Sequence, residues 1–101
     1  MTFAQIIEFR TTDIDAVRKI DEDWLQATEG KRTVRRQLLA RDHCDPDRYF
    51  AFVFFDSYES AMQNSSLPET GATADRYRRA TEGPPVFYDL DILEDQDLTA
   101  R

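Results

Sequence analysis

The chain of 101 residues contains one cysteine, Cys44, and one histidine, His43. A single cysteine excludes an internal disulfide framework and a metal site built from several cysteines, and it agrees with a reducing compartment. Both residues lie in the sequence Asp42-His43-Cys44-Asp45. Adjacent residues in a tight turn rarely converge on one ion, so we expect a solvated hairpin tip and no metal site.

The sequence also lacks a long apolar segment and an excess of positive charge. No stretch approaches the roughly 18 apolar residues of a membrane-spanning helix, and the N-terminus lacks the layout of a signal peptide. The 13 Lys and Arg against 20 Asp and Glu give a formal net charge of −7, which disfavours nucleic acid as a partner. We therefore expect a cytoplasmic protein that binds neither membrane nor nucleic acid.

Length and composition indicate one globular domain over residues 1–101. Apolar residues form 41% of the chain and aromatic residues 12%, which is enough for a packed core. The segment from about residue 94 onward is acidic, and we expect it to be a frayed tail.

Alternation of apolar and polar residues predicts three strands, and a continuous apolar run predicts another, which is the third along the chain. They are expected from Phe3 to Arg10, from Thr33 to Asp42, from Tyr49 to Phe55 and from Val86 to Ile92. In the second strand the alternation places Val34, Leu38 and Ala40 on one face.

Spacings of three and four residues predict the helices. The first is expected from Ile14 to Ala27, with Gly30 as its left-handed cap. A short helix is expected to open at a capping box of Asp56 and Glu59 and to stop at Pro68. The last is expected from Thr73 to Glu82.

The element order β-α-β-β-α-β predicts an α+β, ferredoxin-like antiparallel sheet with helices on one face. The third strand is apolar on both sides, so the face without helices must also be covered. We expect a second copy of the chain to cover it, which gives a homodimer packed sheet against sheet. A ligand or a nucleic acid stacked on this face is the alternative.

Residues 48–55 resemble the aromatic motif on the third strand of RNA-recognition modules. That interpretation would place Tyr49, Phe50, Phe52 and Phe54 against RNA bases. The companion aromatic residue of the first strand is missing, because Ile6-Ile7-Glu8 stands there, and Asp89 and Asp91 add negative charge to the last strand. RNA recognition is therefore the third alternative for function.

The segment from Tyr49 to Ala61 resembles the strand-to-helix signature of the antibiotic-biosynthesis-monooxygenase-like family. Gly30 stands where that family has a glycine between its first helix and second strand, and residues 57–70 and 82–87 are similar to an uncharacterised bacterial branch. The resemblance, over about residues 3–93, implies a dimeric α/β barrel. It also implies a monooxygenase that needs no metal, flavin, haem or other cofactor and acts on a small aromatic or polyketide-like compound.

The sequence departs from this family at a position where many relatives carry a histidine, three residues after Ala61, because Asn64 stands there. An amide cannot serve as a general base near neutral pH, so no catalytic residue is identified. The late ligand histidine of haem-degrading relatives is also missing. A non-catalytic dimeric protein that binds a small ligand is therefore the alternative to the oxygenase.

Three residues are expected to line a substrate pocket between sheet and helices. Trp24 and Tyr77 lie on the inward stripes of the first and last helices, where filling the core is the alternative role. Asn64 is the third, with a helix C-cap as its alternative. The basic residues of segments 31–36 and 76–79 are expected to pair with acids such as those of the run Asp21-Glu22-Asp23, although an anionic ligand could use them.

Overall fold

A four-stranded antiparallel sheet carries three helices on one face in this computed structural model, which describes residues 1–99. The strands, in spatial order β2-β3-β1-β4, and the helices have these bounds: β1 Phe3–Arg10, α1 Ile14–Ala27, β2 Val34–Arg41, β3 Arg48–Phe55, α2 Tyr58–Ser65, α3 Pro68–Ala80 and β4 Val86–Asp91. The predicted α+β, ferredoxin-like fold class is confirmed.

The acidic tail is described as far as Thr99. Residues 94–99 form no helix or strand and are exposed, and residues 100 and 101 of the expected domain lie outside the described part of the chain. None of the three helices within residues 1–99 has the length and apolar character needed to cross a bilayer.

A bulge in β2 corrects the predicted facing of that strand. Val34 pairs with Phe55 and Arg36 with Phe54, so one extra residue is accommodated between them. The side-chain alternation therefore shifts by one position after Val34. Val34 packs on the helix side with Phe55, whereas Leu38 and Ala40, which pair with Phe52 and Phe50, belong to the opposite face.

The starts of α2 and α3 also differ from prediction. Ser57, not Asp56, caps α2, and it forms a reciprocal capping box with Ser60. Asp56 instead forms an ion pair with Arg35, in which a guanidinium nitrogen lies 2.7 Å from a carboxylate oxygen. Pro68 begins α3 several residues earlier than predicted, because a proline at the first helical position needs no N–H partner.

Thr28 caps the C-terminus of α1, because its N–H and hydroxyl both donate to the carbonyl of Trp24. Gly30 follows in the turn with a φ of 79°, which a residue with a side chain adopts at a cost. The glycine therefore serves the turn after the helix and is not itself the cap.

The core between sheet and helices consists of two separate clusters. Phe3, Phe55 and Ala61 form the first, at one end of the β1–β3 pair. At the other end Phe9, Val17 and Tyr49 form the second, where the Phe9 and Tyr49 rings stack with centroids 5.6 Å apart. The helices are thus attached to the sheet at both ends of its two central strands.

The second face of the sheet, here called the open face, carries no helix. It is formed by alternate side chains of all four strands, and its apolar members include Ile6, Leu38, Phe50, Phe52, Phe54, Val86, Tyr88 and Leu90. Arg36 lies over the Phe54 ring and Arg48 over the Phe50 ring, at 5.9 and 4.9 Å from the ring centroids. The side chains that the edge strands β2 and β4 place on the open face are exposed.

The structure changes one argument for the RNA interpretation and one argument against it. Tyr49 is buried on the helix side, stacked on Phe9, so its ring cannot meet a base on the open face. Asp89 also points to the helix side, where its carboxylate accepts a hydrogen bond from Gln5 at 3.0 Å. Asp91 pairs with Phe3 and shares that side, so the acids of β4 do not lie on the open face.

We predict that Phe9→Ala lowers the free energy of unfolding by about 3–5 kcal/mol, because it empties the centre of the second cluster. Phe87→Ala is the matched control on the same side of the sheet, where Phe87 is 57% exposed. It should cost about 1 kcal/mol or less. Urea unfolding of both variants measures the difference, and equal losses would contradict the assignment of the core.

Candidate functional site

A cavity of about 660 Å³ lies between the helix side of the sheet and the helices. Its floor is the middle of the two central strands, where Gln5 and Ile7 of β1 lie opposite Val53 and Ala51 of β3. These positions fall between the two core clusters. These side chains are smaller than the aromatic residues at either end of the strands, or polar, and they leave space between the sheet and the helices.

All three residues expected to line a pocket lie on the wall of this cavity: Trp24, Asn64 and Tyr77. The structure thus brings together side chains from α1, α2 and α3. Much of the remaining wall is apolar and includes Ile7, Val34, Leu39, Val53, Phe55 and Phe87. That these residues bind a substrate remains a prediction.

The indole of Trp24 is held in place by α3. Its Nε1 donates a hydrogen bond to the hydroxyl of Thr70 at 3.1 Å, and the residue is buried. Because this donor already has a partner, Trp24 offers the cavity an apolar ring surface. Its space-filling role and its position on the pocket wall are therefore compatible.

Asn64 does not act as the C-cap of α2, since Ser66 holds that position. Its side chain is buried, and Oδ1 accepts a hydrogen bond from the N–H of Thr33 at 3.4 Å. Within residues 1–99 the amide nitrogen donates to no protein group. The amide therefore presents a donor on the cavity wall.

Tyr77 contributes a neutral hydroxyl. Its ring packs edge-on against Phe9, with centroids 5.2 Å apart. Burial raises the pKa of this phenol far above its ordinary value, and the negative charge of Asp21 raises it further. Tyr77 therefore stays protonated at neutral pH and can donate a hydrogen bond to a charged ligand oxygen.

Asp21 is the cavity residue that the sequence interpretation missed. It lies on the cavity wall, and burial raises the pKa of its carboxyl group. Within the described chain this carboxylate has no ion pair or hydrogen-bond partner, whereas Asp23 pairs with Lys19 at 3.0 Å and Arg76 at 2.9 Å. The signal was its spacing, four residues after Val17 and three before Trp24, which places an acid on the buried stripe of α1.

Both basic segments contain cations that pair with acids, as expected. Lys31 contacts Glu69 at 2.5 Å, and Arg76 contacts Asp23. Arg78, on the cavity wall, pairs with Asp75. These pairs leave Asp21 as the carboxylate of the cavity wall that no cation neutralises within the described residues.

The hairpin between β2 and β3 holds His43 and Cys44, and both are exposed. Asp42 organises the turn, since its Oδ1 accepts the N–H groups of Cys44 and Asp45. No group of three or more metal-binding side chains occurs anywhere in residues 1–99. The hairpin lies away from the cavity, whose wall includes none of its residues.

Solved structures share this fold at low sequence identity. A protein from Deinococcus radiodurans, named a putative antibiotic biosynthesis monooxygenase, has a TM-score of 0.74 at 13% identity, with 95% of this chain and 97% of that chain covered. A Chloroflexus aurantiacus protein of the same name gives 0.72 at 19% identity, with 97% and 99% covered. The Rv0793 protein from Mycobacterium tuberculosis gives 0.76 at 14% identity, with 96% and 100% covered.

No protein-family model matches the sequence, and no curated protein matches it significantly. The resemblance inferred from the strand-to-helix segment is confirmed at the level of the fold, because the solved structures that share this fold include proteins of that name. At these sequence identities the similarity shows the fold only, so any activity has to be inferred from the residues of the cavity.

We predict that Asp21→Asn and Asp23→Asn change thermal stability in opposite directions at neutral pH. The pKa of Asp21 is raised by burial, so its stabilising contribution exists at low pH and is lost as pH rises through the folded-state pKa. The pKa of Asp23 is lowered by its hydrogen bonds to Lys19 and Arg76, so its contribution exists at neutral pH and is lost on acidification.

Asp21→Asn should therefore raise the melting temperature at about pH 7 and Asp23→Asn should lower it, with both differences shrinking toward about pH 3. Scanning calorimetry at the two pH values is the measurement. A lower melting temperature for both variants at neutral pH would contradict the assigned environment of Asp21.

Proposed function

We propose that this protein binds a small aromatic or polyketide-like compound in the cavity and oxidises it with molecular oxygen, without metal, flavin or haem. The observation that supports the proposal is a largely apolar cavity with a free carboxylate, a neutral hydroxyl and an amide on one wall. Its volume of about 660 Å³ suits a ligand of two to three fused rings. The fold shared with proteins named monooxygenases agrees with it.

The chemistry asks little of the protein. A phenol or enol that has lost its proton can transfer an electron to oxygen directly, so the substrate itself supplies the reducing power. In the overall reaction an activated CH₂ group becomes a carbonyl, one oxygen atom enters the product, and the second leaves as water with both hydrogens. The hydroxyl of Tyr77 and the amide of Asn64 would donate hydrogen bonds to the negative charge that develops.

The alternative is a protein that binds such a compound without oxidising it. The position of His43 favours this alternative, because the sole histidine is exposed in the β2–β3 hairpin and is not part of the cavity wall. A pure binder would raise its melting temperature with the compound but consume no oxygen.

We also propose a homodimer that buries the open face. Phe50, Phe52 and Phe54 form an aromatic centre there, and the flanking β2 and β4 side chains are exposed, as Leu90 is at 44%. A large exposed apolar patch of this kind is typical of an interface. A second copy of the same face would bury these apolar side chains in both chains, and it closes a two-fold dimer.

We predict that Tyr77→Phe lowers kcat for oxidation by about tenfold to a hundredfold, because it removes a hydrogen bond to the charged intermediate. The ring and its packing against Phe9 are retained. Tyr58→Phe is the matched control, since Tyr58 is 52% exposed and lies outside the cavity. Oxygen uptake in metal-free buffer, with a panel of phenolic and enolisable tricyclic compounds, measures the effect.

If Trp24→Phe or Asn64→Ala also reduces oxygen uptake, the result would support the cavity as the site of oxidation. Melting temperatures that rise with a compound, with no oxygen consumed, would favour the binder. Absence of both effects across a diverse panel would overturn the proposal.

For the homodimer, Leu90→Asp should raise the dimer dissociation constant at least about tenfold, because it buries an unpaired charge in both copies of the interface. Leu98→Asp, at a tail position that is 79% exposed, is the control and should leave assembly unchanged. Sedimentation velocity at micromolar concentration distinguishes the two. A monomeric wild-type protein would refute the assembly.

A further inference from the structure

We propose that Asp21 is the general base of the cavity, which takes the proton from a weakly acidic O–H or enolisable C–H group of the bound compound. This inference rests on the proposed function and supplies the proton acceptor that the function requires. The supporting observation is geometric: the carboxylate of Asp21 lies on the cavity wall and has no ion-pair or hydrogen-bond partner within the described residues.

The position of Asp21 on α1 directs it toward the cavity. Val17, one turn before it, is fully buried in the second core cluster, and Trp24, one turn after it, forms the cavity wall. Three residues on one stripe of a helix face the same neighbours. Asp21 stands on that stripe at a position where an apolar side chain is expected, and no partner there stabilises its charged carboxylate.

The surroundings of Asp21 favour a basic carboxylate. The other titratable or charged groups on the cavity wall are Tyr77 and Arg78, both from α3. Tyr77 remains neutral, and Arg78 pairs with Asp75. Burial raises the pKa of Asp21, which makes its conjugate base a stronger proton acceptor than an exposed aspartate.

The proton step balances without a further reactant. The ligand O–H or C–H bond breaks, its proton moves to a carboxylate oxygen of Asp21, and the electron pair stays on the ligand as a delocalised anion. Tyr77 donates a hydrogen bond to the oxyanion. After electron transfer to oxygen, the ligand carbon and the reduced oxygen form a C–O bond, and Asp21 returns its proton to the outer oxygen of the resulting peroxide. Loss of the second C–H proton then breaks the O–O bond, so the carbon becomes a carbonyl and the outer oxygen leaves as water with both hydrogens.

This role also defines the ligand class. The unpaired carboxylate repels ligands that carry a carboxylate or sulfate group at the reacting end. It favours neutral compounds whose acidic hydrogen is phenolic or activated by a neighbouring carbonyl group. The predicted substrate class is therefore a neutral polycyclic phenol with an enolisable position.

The test separates deprotonation from oxidation by working without oxygen. Dihydroxyanthrone is the probe, because its anion and its neutral form absorb at different wavelengths. Trp24 is the only tryptophan in the chain, so quenching of tryptophan emission reports binding in the cavity independently of ionisation. We expect wild-type protein to bind the probe and produce the anion spectrum near neutral pH.

Asp21→Asn should bind the probe but leave it neutral under the same conditions. On admission of air its kcat/KM should be about a hundredfold lower, and the acidic limb of the wild-type pH profile should disappear. Glu22→Gln, an exposed neighbour that loses the same charge outside the cavity, is the control and should match wild type. Asp21→Ala should regain anion formation when formate is added.

The two proposals fail in different ways. Equal anion formation by wild type and Asp21→Asn would overturn the role of Asp21. If wild type forms the anion and Asp21→Asn does not, but wild type consumes no oxygen in air, the role of Asp21 as a base stands and the proposed oxygenase activity is overturned. Unchanged tryptophan emission with the probe would count against both.

Discussion

The division of the core into two clusters is the constraint on which the cavity depends. The two central strands carry aromatic pairs at both ends, with Phe3 opposite Phe55 and Phe9 opposite Tyr49. These rings separate the helices from the sheet at both ends of β1 and β3. Between the two ends, the middle of each strand carries smaller or polar side chains. The space between sheet and helices is therefore a consequence of where the large residues stand along β1 and β3.

The same division explains how polar groups reach an apolar site. Contact between α1 and α3 is maintained by the hydrogen bond from Trp24 to Thr70 and by the ion pair between Asp23 and Arg76. With these contacts in place, α1 can carry a carboxylate on its inner stripe at the level of the cavity. In a continuous apolar core that charge would be buried without water or a partner, at a cost of several kcal/mol.

The four strands and the β-α-β-β-α-β element order could be predicted from the sequence, because alternation with period two is strong in β1, β3 is a continuous apolar run, and the turns between elements are marked. The bulge after Val34 could not, since it depends on pairing with β3. Pro68 could be interpreted either as a stop for α2 or as the first residue of α3, and only packing decides between them. Asp21 was obscured by Glu22 and Asp23, because a run of acids resembles a solvated helix surface even when one member lies on the buried stripe.

The two-cluster core also makes the middle of the sheet an adjustable part of the molecule. Gln5, Ile7, Ala51 and Val53 form the cavity floor but are not the buried residues at the centre of either cluster. Exchanges at these four positions would reshape the cavity while the aromatic pairs at both ends keep the fold together. For protein engineering the same four positions therefore define a compact library in which the size and polarity of the cavity can be varied.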